Sequence, residues 1–145
     1  MGLLETLRPE KTCDRPRFRS YRIDACDPAL LAYLQSCFAL ARYETLRVIY
    51  CDHTRRYLFD EVFGNGQVNG IVARVRPLFE RALAQGAGGL LLAHNPPSGL
   101  CHPSEADICS TRQLRDIGAA LEVELIDPLI FAGGRYFSMA GGGYL

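Results

Sequence analysis

Leu30, Leu34, Cys37, Phe38 and Ala41 recur on one face at helical spacing, and Asp27-Pro28 ahead of them offers a capping carboxylate followed by a proline suited to the first helical position. The pattern predicts a helix over residues 28–42. From Leu46 the texture becomes β-branched and aromatic: LRVIYCD turns at Asp52-His53-Thr54-Arg55 into RRYLFDEVF, and Gly64-Asn65-Gly66 turns the chain again. This reads as a meander of strands, with His53 a solvated turn residue. Arg76-Pro77 opens a second helix that carries Leu78, Ala82 and Leu83 and stops near Gly86. GGLLLAH is short and wholly apolar, as a strand covered on both faces must be. NPPSGLCHP, with three prolines and a glycine, breaks helix and ladder alike and is a loop. Ser104 caps a third helix, SEADICSTRQLRDIGAAL, and LEVELID and RYFSMA supply two further strands around Gly133-Gly134.

The order helix, strands, helix, strand, loop, helix, strands predicts an α/β fold, a three-layer αβα sandwich around a mixed sheet. Residues 1–27 mix basic and acidic side chains without useful periodicity and are expected to form an N-terminal arm or lead, leaving 28–145 as the domain. No internal repeat or low-complexity tract divides it.

Composition narrows the function classes. A chain of 145 residues is one domain's worth, and 48% apolar against 22% charged residues is enough to bury a core. Sixteen basic residues balance sixteen acidic ones, so the charge excess that drives nucleic-acid binding is missing. The six cysteines show no two-to-four-residue spacing of the kind that forms a zinc knuckle or redox pair. The first residues, MGLLETLRPEKT, lack the layout of a secretion signal, and no apolar run approaches the ~20 residues a membrane span needs. A cytoplasmic protein with reduced thiols is expected, without a membrane partner.

Ligand sites of open α/β sheets gather where parallel strands end at their carboxyl edge. His94 closes the most buried strand, and Asp107 lies in the first turn of the helix that follows the loop. Imidazole and carboxylate can converge there as half of a divalent-metal site. The spacing Ser104-x-x-Asp107 also fits a capping box, with the carboxylate favoured at the positive end of the helix.

AHNPPSGLCHPSEADICSTRQL resembles the RadC family's version of the JAB/MPN metalloprotease domain, whose motif runs H-N-H-P-S-G-x-x-x-P-S-x-x-D followed by a threonine. His94, Asn95, Pro97, Ser98, Gly99, Pro103, Ser104, Asp107 and Thr111 fall in register without a gap. Arg76 and Phe79 match the family's P-R-E-x-F helix, Glu44 stands before the first strand as the family's glutamate does, and Leu125-Ile126-Asp127 resembles its L-L-D-H segment. The resemblance covers residues 28–145 and implies the JAB/MPN, cytidine-deaminase-like fold; the helix-hairpin-helix region that often precedes this domain in the family is not expected here.

The resemblance implies a zinc held by the two histidines of an H-x-H pair and an aspartate, with water in the fourth position. Zinc would lower that water's pKa to ~7 and polarise a peptide carbonyl. On this chain the ligands would be His94 and Asp107, the base taking the water's proton Glu44, and the group stabilising the oxyanion Ser104. Pro96 occupies the place of the second histidine, and proline has neither a donor side chain nor a backbone N–H. Pro77 and Pro128 likewise replace the family's glutamate and histidine in the two flanking segments. Zinc is therefore expected to be weak or absent. His102, in the same loop, is the candidate substitute ligand, and Cys101 beside it is also chemically able to bind zinc.

A zinc deaminase would need glutamate at Pro96 and a following P-C-x-x-C, and serine-hydrolase chemistry would need G-x-S-x-G around Ser98; neither is present. Cys101 and His102 are adjacent in an extended loop and point apart, so they form no thiol dyad. Two function classes follow. One is a residual zinc metallopeptidase or isopeptidase acting on a peptide or protein. The other is a metal-free pseudoenzyme serving as a binding or scaffold module. A link to DNA repair comes from the family name alone, and a free strand edge in the meander permits pairing into a homo-oligomer.

Overall fold

The computed structural model describes residues 22–63 and 75–145. Most of the arm expected at the start of the chain, and the turn at Gly64-Asn65-Gly66, lie outside the described residues. The last part of that arm lies on the domain. Ile23 is fully buried, its N–H donates to the Arg55 carbonyl at 2.6 Å, and Arg22 bridges to Arg56.

Helix α1 spans Pro28–Ala39, with the Asp27 carboxylate accepting the N–H of Ala29 at 3.2 Å. It stops before residue 42, where the sequence pattern ended it, because the Ala41 N–H closes a turn on the Phe38 carbonyl and redirects the chain to the sheet. Strands β1 (Leu46–Cys51) and β2 (Tyr57–Phe63) form an antiparallel pair. The turn between them is held by Asp52, which accepts from the backbone of Thr54 and Arg56. Then come α2 (Val75–Ala84), β3 (Gly89–His94), α3 (Glu105–Ala120), β4 (Glu124–Ala132) and β5 (Arg135–Ser138). Gly133 and Gly134, both at positive φ, make the two-residue hairpin between the last two strands.

The sheet order is β2-β1-β3-β4-β5, and β3 with β4 is its one parallel pair among the described strands. α3 makes the crossover that a parallel pair requires. Alternation along β3 divides the core. Leu91 and Ala93 pack with Leu30 and Leu34 of α1, whereas Leu90 and Leu92 pack with Leu78 and Phe79 of α2 and Leu114 of α3. The result is an αβα sandwich around a mixed sheet, as the element order implied.

One strand departs from the sequence pattern. LEVELID was expected to end at Asp127, ahead of Pro128, yet β4 runs on to Ala132. A bulge lets Leu125 and Asp127 face consecutive residues of β3, and the Pro128 carbonyl accepts from Met139 on the β5 side, where pairing has ended at Leu129 and Ser138. The missing proline N–H therefore interrupts no ladder bond. Among the described residues no helix is long and apolar enough to cross a membrane.

Candidate functional site

His94 is the last residue of β3, flanked by Leu46 of β1 and Ile130 of β4, and only 3% of its surface is exposed. Central strands deliver their final side chain to the rim of the sheet with neighbours on both sides, which explains this burial. Asp107 reaches the same point from the first turn of α3. There it belongs to a complete capping box: its N–H donates to the Ser104 hydroxyl at 3.1 Å, and its Oδ2 accepts the Ser104 N–H at 2.9 Å. The cap leaves Oδ1 facing His94 Nε2 at 3.8 Å, beyond hydrogen-bond length. The other ring nitrogen, Nδ1, is buried with no partner among the described residues.

The electrostatics follow from this burial. Desolvation pushes the His94 imidazole below its usual range, and the nearby Asp107 charge opposes that only in part, so the ring is neutral at pH 7. Glu44 is pushed the other way, first by burial and then by repulsion from Asp107, which places the two carboxylates in one field.

Asn95 fixes the approach of Glu44. Its Oδ1 accepts the Thr45 N–H at 2.7 Å and the Thr45 hydroxyl at 3.2 Å, while its Nδ2 donates to the Tyr43 carbonyl at 2.9 Å. Both sequence neighbours of Glu44 are thus tied to the residue after His94. Beyond Pro96, a cavity of about 330 Å³ opens between the C-terminal end of α1, the loop after β3 and the β4–β5 turn, lined by Phe38, Asn95, Pro96 and Phe131 among others.

The structure therefore brings His94 and Asp107 together, with Ser104 holding Asp107, while Glu44 feels the Asp107 charge without joining the pair. It does not bring His102 to them. His102 is exposed, its Nδ1 lies 3.0 Å from the Pro103 carbonyl, and its ring leans on Phe137. Cys101 is turned to the Ile130 carbonyl. Among the described residues no three His, Cys, Asp or Glu side chains are grouped to hold a metal ion. Catalytic zinc keeps three protein ligands. With two in place and Pro96 at the third position, this donor set does not fit a catalytic zinc.

A model of the RadC-like JAB domain matches residues 25–144. The chain belongs to the RadC-like JAB domain family. Curated relatives agree: a UPF0758 protein of Azotobacter vinelandii is 36% identical over 125 residues, covering 82% of this chain and 56% of that protein. Those of Ectopseudomonas mendocina and Rhodobacter capsulatus are 32% and 33% identical over 143 and 141 residues, covering 99% and 97% of this chain and 59% and 63% of theirs. The RadC-like chain thus spans less than two thirds of the length of these relatives.

Within the RadC-like domain the two flanking prolines have local explanations. Pro77 sits in the first turn of α2, where its missing N–H has no intrahelical acceptor, and Pro128 follows the β4 bulge. Pro96 opens the turn after β3, its carbonyl accepting the Gly99 N–H at 3.1 Å.

A second polar cluster escaped sequence reasoning. Asp60 of β2, buried on the α1 side, accepts from Arg47 at 2.7 Å, from Tyr33 at 2.8 Å and from Tyr57. Burial alone would raise its carboxyl, but the hydrogen bonds from Tyr57, Tyr33 and Arg47 hold it below the usual range. No spacing signal joins these residues, because a helix and two strands contribute them and only the sheet register aligns them.

Proposed function

We propose that this RadC-like domain descends from a zinc metallopeptidase or isopeptidase, binds zinc weakly or not at all, and has weak or lost hydrolytic activity toward peptide or protein substrates. One observation carries the reading: Pro96 stands where a second histidine is expected, and no other His, Cys, Asp or Glu joins His94 and Asp107 among the described residues. The rest of the machinery that the resemblance implies is retained, with Glu44 clamped by way of its neighbours and Asp107 locked in its cap. That retention supports a site whose defect is one ligand rather than a collapsed pocket.

A second reading, a metal-free binding or scaffold module for a peptide or protein partner, is favoured by the cavity of about 330 Å³ beside Pro96, within the size range of ligand pockets. A measurement of bound zinc tests the first reading. Purified protein equilibrated with equimolar zinc and desalted should hold well under one zinc per chain, and Pro96→His should bring it close to one. Stoichiometric zinc in the unmodified protein, lost in His94→Ala, would overturn the proposal.

A further inference from the structure

The balance of sixteen basic against sixteen acidic residues holds for the chain as a whole and not along it. Residues 15–22 read RPRFRSYR, four arginines with two aromatic rings among them and no carboxylate. Residues 15–21 lie outside the described residues, but the place where the run meets the domain is fixed. Arg22 stands opposite Arg56 in an antiparallel bridge, and the Ile23 N–H beside it donates to the Arg55 carbonyl at 2.6 Å. This is the end of the sheet remote from the candidate metal site, because β1 sets Cys51 against Gly89 at the start of β3 and Leu46 against His94 at its end.

Side chains directly opposite in an antiparallel pair leave the same face, and like charges placed so repel. Arg22 and Arg56 are both exposed, and neither has an ion pair among the described residues, whereas Arg47, Arg55 and Arg81 each meet a carboxylate. Asp52, which feels the Arg56 charge, is already taken up by Thr54 and by the backbone N–H of Arg56. The fold thus sets two like charges side by side without a counter-charge, a repulsion that an anionic partner removes. The composition of the run selects among anions. A phosphate accepts two N–H bonds from one guanidinium, and rings placed between cations offer flat faces on which bases stack whatever their sequence. An acidic peptide would use the charges and leave the rings idle.

We propose that Arg15, Arg17, Arg19 and Arg22, together with Arg56 ahead of β2, bind the phosphates of a single-stranded nucleic acid, with Phe18 and Tyr21 stacking on its bases. The inference does not depend on the state of the metal site, which lies at the other end of the sheet.

Binding of fluorescein-labelled oligothymidylate to the full chain is followed by anisotropy from about 50 to about 200 mM salt. Saturable binding that weakens with salt is expected, with a slope of log K against log salt of about −0.7 for each phosphate held. Arg22→Gln combined with Arg56→Gln should weaken it at least fivefold and flatten that slope, whereas Arg112→Gln, at an exposed arginine of α3, should leave it unchanged. Phe18→Ala combined with Tyr21→Ala should weaken it at an unaltered slope, since the rings carry no charge. Amide spectra establish that each variant keeps its fold. A duplex, labelled polyglutamate and phosphatidylserine vesicles are titrated alongside. Equal or tighter binding of any of these three would overturn the proposal. So would the absence of saturable oligonucleotide binding, or binding that survives loss of either the two arginines or the two rings.

Discussion

Asn95 accepts the backbone N–H of Thr45 at 2.7 Å, so the residue after the buried histidine fixes the residue after the glutamate. Its amide also donates to the Tyr43 carbonyl. In Asn95→Ala both backbone groups lose their partner, and a loss of about 1–2 kcal/mol in urea unfolding is expected. Amide exchange at Thr45 should accelerate in the same variant. Unaltered exchange there would show that the clamp is not what holds the segment before β1.

Ser104→Ala removes the hydroxyl that accepts the Asp107 N–H. Loss of such a cap costs about 1 kcal/mol, and Ser104→Asp should recover most of it because aspartate caps as well. The comparison of the two variants by urea denaturation isolates the cap from any other role of the serine.

His94 gives the fold a pH dependence of definite sign. Its folded pKa lies below the ordinary value, so between the two the unfolded chain binds the extra proton and stability falls as pH drops below about 6.5. Replacing it in His94→Phe should flatten the slope of unfolding free energy between pH 7 and 5. An unchanged slope would mean that burial does not hold the ring neutral.

Asp60 acts lower on the pH scale. Its carboxyl is held below the usual range, so its contribution is complete above about pH 4 and is lost as pH falls through the folded value. At neutral pH, Asp60→Ala strands the guanidinium of Arg47, which is 19% exposed. Breaking a buried pair from one side costs about 3–5 kcal/mol, and partial solvent access to Arg47 places the expected loss at the lower end. A melting temperature close to the parent's would refute the assigned importance of this cluster.

Gly118 lies inside α3, where alanine would ordinarily raise helix stability. Here a Cβ would meet the Val123 carbonyl oxygen at 2.3 Å, at the turn that leads into β4. Gly118→Ala is expected to lose about 1–3 kcal/mol by overpacking rather than gain any. Denaturant midpoints of the two proteins decide the sign.

Much of the site was legible before any coordinates. Strand-ending His94, the Ser104-to-Asp107 spacing and the proline at residue 96 are local facts, and local chemistry fixed what they do: the cap formed, and the imidazole reached the rim of the sheet. The end of β4 was not legible, since Pro128 is a break by every local rule. Only a bulge and the end of its neighbour's pairing make it harmless.

By itself the sequence determined the elements, their order and the layers about the sheet, because periodicity and capping act within a few residues along the chain. The tertiary structure alone decided that Asn95 clamps the segment around Glu44, that His102 turns to Phe137 instead of the site, and that Asp60 collects three donors. Those outcomes depend on strand register and helix docking, which bring together residues far apart in the chain through contacts that no local pattern encodes.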